Sequence, residues 1–212
     1  IRFSTSNPQD MGLDVILTMS NYKNICNHIH LPVQSGSDNI LRAMNRQHTR
    51  AQYLDLIKEI RGIIPECSIS QDIIAGFPNE TDNDHQQTID LMKKIKYDFG
   101  YMFKYSERPG TLAAKKFEDN VSELTKKNRL QEIVNLQQEH SNFRTTNFIG
   151  KTVEVLIEKE SKKSKSQWSG RNEQNTVVVF DKKKFQIGDF VNVYIKDCTS
   201  ATLIGEPINL SN

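Results

Sequence analysis

The 212 residues include only three cysteines, Cys26, Cys67 and Cys198, with no C-x-x-C or C-x-x-x-C pair among them. Their odd number and wide spacing argue against a disulfide framework and against a self-contained metal site. They read instead as small buried hydrophobes in a reducing cytosol. No apolar run approaches the ~18 residues of a membrane span, and no stretch with signal-peptide composition stands at the start. A charge of one sign is missing too, since 28 Lys+Arg face 26 Asp+Glu for a net +2. That excludes a strongly polyanion-seeking or acidic chain on bulk charge alone. The excess sits after residue 150, where ten basic residues face eight acidic ones and Lys162, Lys163, Lys165 and Lys182 to Lys184 cluster. There is no initiating Met, and Ile1-Arg2-Phe3-Ser4 resembles the interior of a strand, so the chain is expected to be a piece of a longer protein.

What is present falls into two patterns. Through residue 106 strand and helix signals alternate. Strands are expected at Arg2–Ser4, Ile29–Val33, Ile69–Ala75 and Phe99–Tyr105. Helices are expected over 9–20, after Ser37 or Asp38, over 51–64, and after Thr81 with Asp84 as capping-box partner. Such alternation implies a parallel sheet with right-handed crossovers. One long helix then covers about 122–146, with Leu130, Ile133, Val134, Gln137 and His140 inward and Gly150 as its stop. From 151 the apolar period becomes two, as in Val153, Val155 and Ile157. About five short strands punctuated by Gly170, Gly188 and Gly205 suggest a small antiparallel barrel of the oligonucleotide-binding type. The expected division is an α/β domain over 1–147 and a barrel domain over 148–212.

Three polar residues would gather at the carboxyl ends of neighbouring parallel strands, where α/β barrels build their sites. Gln34 offers an amide to a ribose or an amino-acid terminus, Arg46 a planar fork for a carboxylate, and Asp72 an acceptor for an ammonium or ribose hydroxyl. Gly76 would let flat apolar matter approach the backbone, with Ile74 and Phe77 flanking a base. The same residues also fit a helix cap, a surface arginine and a tight turn. Glu80 begins a helix, where a carboxylate is favoured, a structural role as apt as a catalytic one. His30 reads as a satisfied wall residue, and Arg108 as a phosphate contact or a linker pin. In the second domain Arg171, Lys162, Lys163, Lys165 and Trp168 combine charge with an aromatic surface suited to RNA backbone and base stacking. Trp168 equally fits a core position.

The blocks H-L-P-V-Q-S-G-S, M-N-R-Q-H-T-R, D-I-I-A-G-F-P-N-E-T and F-K-Y-S-E-R-P-G-T-L-A-A resemble the second half of a radical S-adenosylmethionine domain of the methylthiotransferase family. The stretches G-K-T-V-E-V-L-I-E and G-D-F-V-N-V-Y-I-K-D-C-T-S-A-T-L-I-G-E resemble that family's TRAM domain. Asn79 stands where the family usually has Gly, and Asn tolerates a left-handed backbone. G-R-N-E-Q-N-T-V-V-V-F is most similar to the tRNA-acting, MiaB-type branch, which converts N6-isopentenyladenosine beside the anticodon to its 2-methylthio derivative.

The resemblance implies the second half of a partial (β/α)6 barrel followed by an OB-like TRAM barrel. It also implies S-adenosylmethionine, two [4Fe-4S] clusters in the full-length parent, an external electron donor, tRNA as partner, and a cytoplasmic location without membrane contact. Gln34, Arg46 and Asp72 would touch S-adenosylmethionine and Ile74 its adenine, with Ser35, Gly76 and Phe77 as neighbours. None of the six expected cluster cysteines is here, so the chain alone is expected to be inactive. The alternatives are a methylthiotransferase for a ribosomal protein or another tRNA base, and a non-catalytic RNA-binding fragment. Unpaired strand edges in a half barrel predict aggregation or oligomerisation unless something covers them.

Overall fold

The computed structural model describes residues 1–4 and 7–208. Three strands, β1 (His28–His30), β2 (Ser68–Ala75) and β3 (Phe99–Lys104), form a parallel sheet in that order. Helices α1 (Leu13–Asn21), α2 (Asp38–Ala43), α3 (Arg50–Ile63) and α4 (Asp82–Ile95) accompany it. Thr49 and Thr81 each close a capping box, Thr81 with Asp84 as its spacing indicates. One sheet face is dry: Ile29, Leu31, Ile69 and Ile73 pack against Ile57, Ile60, Ile89 and Met92. The other face carries His28, His30, Ser70 and Asp72 beside the aromatics of β3.

Three expectations change. Arg2–Ser4 is not a strand; no neighbour offers it a ladder, and Ile1 instead bonds residues 24 and 26. The first helix starts at Leu13, since a 3-10 turn over Pro8–Asp10 consumes its proposed first turn. Regular β1 ends before Pro32, which has no N–H, yet the track resumes when Gln34 N–H donates to Asp72 O at 2.8 Å and Gln34 O accepts from Ile74 N–H at 3.0 Å. A short helix α5 (Leu112–Lys116), capped by Thr111, has no counterpart in the apolar pattern.

Helix α6 (Glu123–Thr146) packs on β2, β3 and α4. It ends four residues before Gly150, which takes φ +81° in the following turn. Its buried face is not an apolar stripe. Ile133 is accompanied by Lys126, Arg129, Gln137 and His140. Lys126, 2% exposed, reaches Asp119 and Glu123, and Arg129 donates to the carboxylate of Glu80 at 2.9 Å and of Asp82 at 2.7 Å. These charge pairs tie the helix to the turn after β2, to the start of α4 and to the segment before α6.

Strands β4 (Thr152–Glu160), β5 (Gln167–Arg171), β6 (Val177–Asp181), β7 (Phe190–Cys198) and β8 (Thr202–Pro207) close a barrel in the order β4-β5-β6-β8-β7. All pairs are antiparallel except β6 with β8. A fully antiparallel barrel, as the strand pattern suggested, is impossible with five strands, because an odd ring cannot alternate direction throughout. Val155, Ile157, Val178, Phe180, Val193 and Ile195 fill the interior. Arg2 ties the two units together by donating to Asn172 O at 2.9 Å.

Arg129→Met is expected to cost about 3–5 kcal/mol, because it strands the Glu80 carboxylate in the interior. The Glu80→Gln, Arg129→Met double variant should recover part of that loss; urea unfolding of the three proteins checks it.

Candidate functional site

The carboxyl ends of β1 and β2 bring Gln34, Arg46 and Asp72 together. Gln34 is buried and takes φ +70°, a conformation costly for a residue with a Cβ. Its backbone is bonded on both sides to β2, which over-determines the strain, and its amide makes no hydrogen bond among the described residues. Arg46 follows α2 in a loop pinned by its own N–H to Leu41 O at 2.8 Å. Burial lowers the pKa of its half-buried guanidinium, and the facing charge of Asp72 opposes that shift. Asp72 Oδ1 is buried without a hydrogen-bond partner, although His30 Nε2 stands 3.5 Å away. A cation, an orphaned carboxylate oxygen and a free amide thus share one strand-end mouth. Ile74, half-buried, lines the same edge beside Ile40, Phe77 and Tyr105.

The turn after β2 is built differently from the sequence reading. Gly76 has φ +74°, and a Cβ there would strike the side chain of Lys126, whose Cα stands at 3.3 Å. The missing side chain accommodates α6, not a flat ligand. Phe77, 4% exposed, packs edge-to-face against both Tyr105 and Phe117, so its ring is core beside Ile74. Ser35 turns toward α4, where its hydroxyl contacts Thr88 and accepts from Ser37 N–H. Glu80 accepts from Gly76 N–H at 2.8 Å and from Arg129, a structural brace for the turn. Asn79 takes φ +65°, the left-handed position its substitution for Gly requires.

Sequence reasoning passed over an inward-facing ladder beside this mouth. Ser70 Oγ meets His30 Nδ1 at 2.9 Å and His28 Nε2 at 3.0 Å. His28 stacks on Phe99 at 5.3 Å, and His30 meets Tyr101 edge-on at 6.1 Å. The alternation His28-x-His30 against Ser70-x-Asp72 was the available signal, since period two puts each pair on one face.

In the small barrel the proposed RNA contacts divide. Lys162, Lys163 and Lys165 are exposed on the β4–β5 loop, and Lys182 to Lys184 on the β6–β7 loop join them at one end. Trp168 lies there half-buried, its N–H given to Phe185 O and its face covered by Lys182 at 4.4 Å. Arg171 stands at the other end of β5, roughly 13 Å along the strand. It donates to Asn175 O at 2.7 Å and faces the parallel sheet, so it is not part of that patch.

Comparison with known proteins fits this architecture. Residues 1–92 match the radical SAM superfamily model and residues 147–208 the TRAM domain model. The chain is 68% identical over all 212 residues to a tRNA-2-methylthio-N(6)-dimethylallyladenosine synthase of Christiangramia forsetii, covering 44% of that protein. It is 51% identical to the synthase of the same name in Parabacteroides distasonis, over 98% of this chain and 46% of the relative. The chain thus spans less than half the length of these relatives. A solved structure, the radical SAM enzyme coproporphyrinogen III oxidase of Escherichia coli, superposes with a TM-score of 0.56 at 16% identity, over 82% of this chain and 46% of that one. That likeness concerns the fold alone. The two family matches fall on the two units described above, the radical SAM superfamily model on the α/β unit and the TRAM model on the small barrel.

Burial, then the charges of His30, Arg2 and Arg171, lower the pKa of His28 from 6.5 to about 4. Between those values the unfolded chain takes up a proton that folded His28 refuses, so stability falls as pH drops from 6.5 toward 4. The loss reaches roughly 3 kcal/mol at the lower end. His28→Gln, which keeps a donor but does not titrate, should flatten that part of the pH–stability curve, read by urea midpoints at pH 7 and 4.5.

Proposed function

We propose that this chain supplies the S-adenosylmethionine wall and the RNA-holding barrel of a methylthiotransferase acting on C2 of N6-isopentenyladenosine next to the anticodon of tRNA. The whole protein would work in the cytoplasm with an external electron donor. The observation that carries the reading is the buried, unpartnered Asp72 Oδ1 facing the cation of Arg46 beside the strained Gln34. Native structures seldom leave a buried carboxylate oxygen unpaired, and an ammonium or a ribose hydroxyl would satisfy it. Arg46 would take the amino-acid carboxylate, Gln34 a polar edge, and Ile74 the adenine face. Bound there, S-adenosylmethionine would supply radical chemistry on receiving one electron from outside this chain, and a further S-adenosylmethionine would supply the methyl group. The chain's own part is to bind, orient and screen these groups from water. We take residues 1–147 and 148–212 as the two functional units.

The iron–sulfur clusters of such an enzyme do not fit the cysteines here. No three His, Cys, Asp or Glu residues converge on a metal position among the described residues, and burial pushes the Cys67 thiol up to about 12. Cluster ligands are therefore not assigned in this chain. Among the described residues no helix is long and apolar enough to cross a membrane.

The tRNA part of the reading rests on the relatives' names and on the lysine-rich end of the small barrel, whose two loops present Lys162, Lys163, Lys165, Lys183 and Lys184 to solvent.

Calorimetric titration with S-adenosylmethionine is expected to show binding that Arg46→Ala and Asp72→Ala each weaken about 10- to 100-fold, the worth of one charge-assisted hydrogen bond. Unchanged affinity in both variants would remove the assignment. For RNA, changing Lys162, Lys163 and Lys165 together to Glu should weaken binding of an anticodon stem-loop. It should also lower the slope of log affinity against log salt by roughly two to three. An unaltered slope would place the RNA elsewhere.

A further inference from the structure

Asn175 lies at the tip of the β5–β6 hairpin, the part of the small barrel that reaches back over the parallel sheet. Together with His28, His30, Ser70, Phe99 and Tyr101 it lines a cavity of about 430 Å³. The cavity therefore has one wall from each unit. Its sheet wall offers an aromatic edge, two imidazoles already ordered by Ser70, and direct continuity with Asp72 through His30.

The hairpin wall is equally rigid. Asn175 sits at φ +63°, its carbonyl and side-chain oxygen both accepting from Arg171. Asn172, buried, accepts from Thr176 N–H at 2.8 Å and donates to Gln174 at 2.9 Å. Arg2, on the N-terminal segment of the first unit, fastens the same hairpin through Asn172 O. With its oxygen turned to Arg171, the Asn175 amide is left with N–H donors for a guest.

We propose that this cavity receives the target purine of the RNA, and that Asn175, Tyr101 and His30 select it. The small barrel then takes part in base recognition as well as in holding backbone. A flat heterocycle suits the space: it stacks on an aromatic face and exchanges edge hydrogen bonds with an amide and an imidazole. An extruded base would lie beside Asp72, at the end of the cavity nearest the strand-end mouth. The inference rests on the reading of RNA as substrate, and it deepens that reading by naming the residues that contact the base.

The test uses this chain and two anticodon stem-loop RNAs, one with the target adenosine and one abasic at that position. Wild type should prefer the base-bearing loop on the order of tenfold, as expected for one stacked base. A 2-aminopurine at that position should be quenched on binding. Asn175→Gly preserves the left-handed backbone while deleting the amide, and Tyr101→Leu alters an exposed side chain, so both should fold. Each should lose the preference and the quenching while binding the abasic loop as wild type does. Equal wild-type affinity for the two loops, with salt-dependent binding intact, overturns the base cavity and leaves the RNA reading standing. Absence of RNA binding by folded wild type overturns both.

Discussion

The carboxylate of Glu80 holds the candidate site to the rest of the molecule. It accepts from Gly76 N–H and from Arg129, fixing the turn that leaves β2 just past Asp72 and Ile74. Burial raises the pKa of Glu80, and those two donors oppose the shift. Arg129 belongs to α6, whose other end leads into the small barrel, so one buried pair couples the strand-end mouth to the helix joining both units. Gly76 completes the arrangement, because only an absent Cβ lets Lys126 of the same helix lie beneath the turn.

This bracing explains why the mouth can tolerate strain. Gln34 in a left-handed conformation would relax if its neighbours allowed it, but its N–H and C=O are both held in the ladder with β2. Strain kept in place by surrounding hydrogen bonds is typical of preorganised ligand sites, where the cost is offset by the wider fold. The Asp72 oxygen is the electrostatic counterpart: a buried acceptor without a hydrogen-bond partner, set opposite the Arg46 cation. Together they describe a mouth whose geometry is set by the fold itself.

The small barrel divides its labour by strand direction. Its two lysine-rich loops lie at one end of β5, where Trp168 is screened by Lys182, while the hairpin bearing Arg171 and Asn175 lies at the other end and meets the parallel sheet. A charged end suits a polyanion at long range, and the ordered hairpin suits contact at close range. An RNA loop bridging the two would be gripped by charge at one point and read by shape at another.

Much of this was legible in the residues alone. Apolar spacing set the order of strands and helices through Phe99. The capping box at Thr81 marked the start of α4, and period two after residue 151 announced a barrel. Gln34 and Asp72 could be assigned to neighbouring strand tracks, and Arg46 to the loop after the next helix, because strand–turn–helix punctuation is local. The rest depended on contacts between distant segments. Ser35 and Phe77 adjoin the right residues in sequence yet turn into the protein, because α4 offers Thr88 and the segment after β3 offers Tyr105 and Phe117. Arg171 reads as one basic residue among several until strand β5 separates it from the lysines. Spacing and residue type determined which chemistry this chain could carry. Only tertiary packing decided which side chains face the mouth, since orientation across elements is set by neighbours that local sequence does not name.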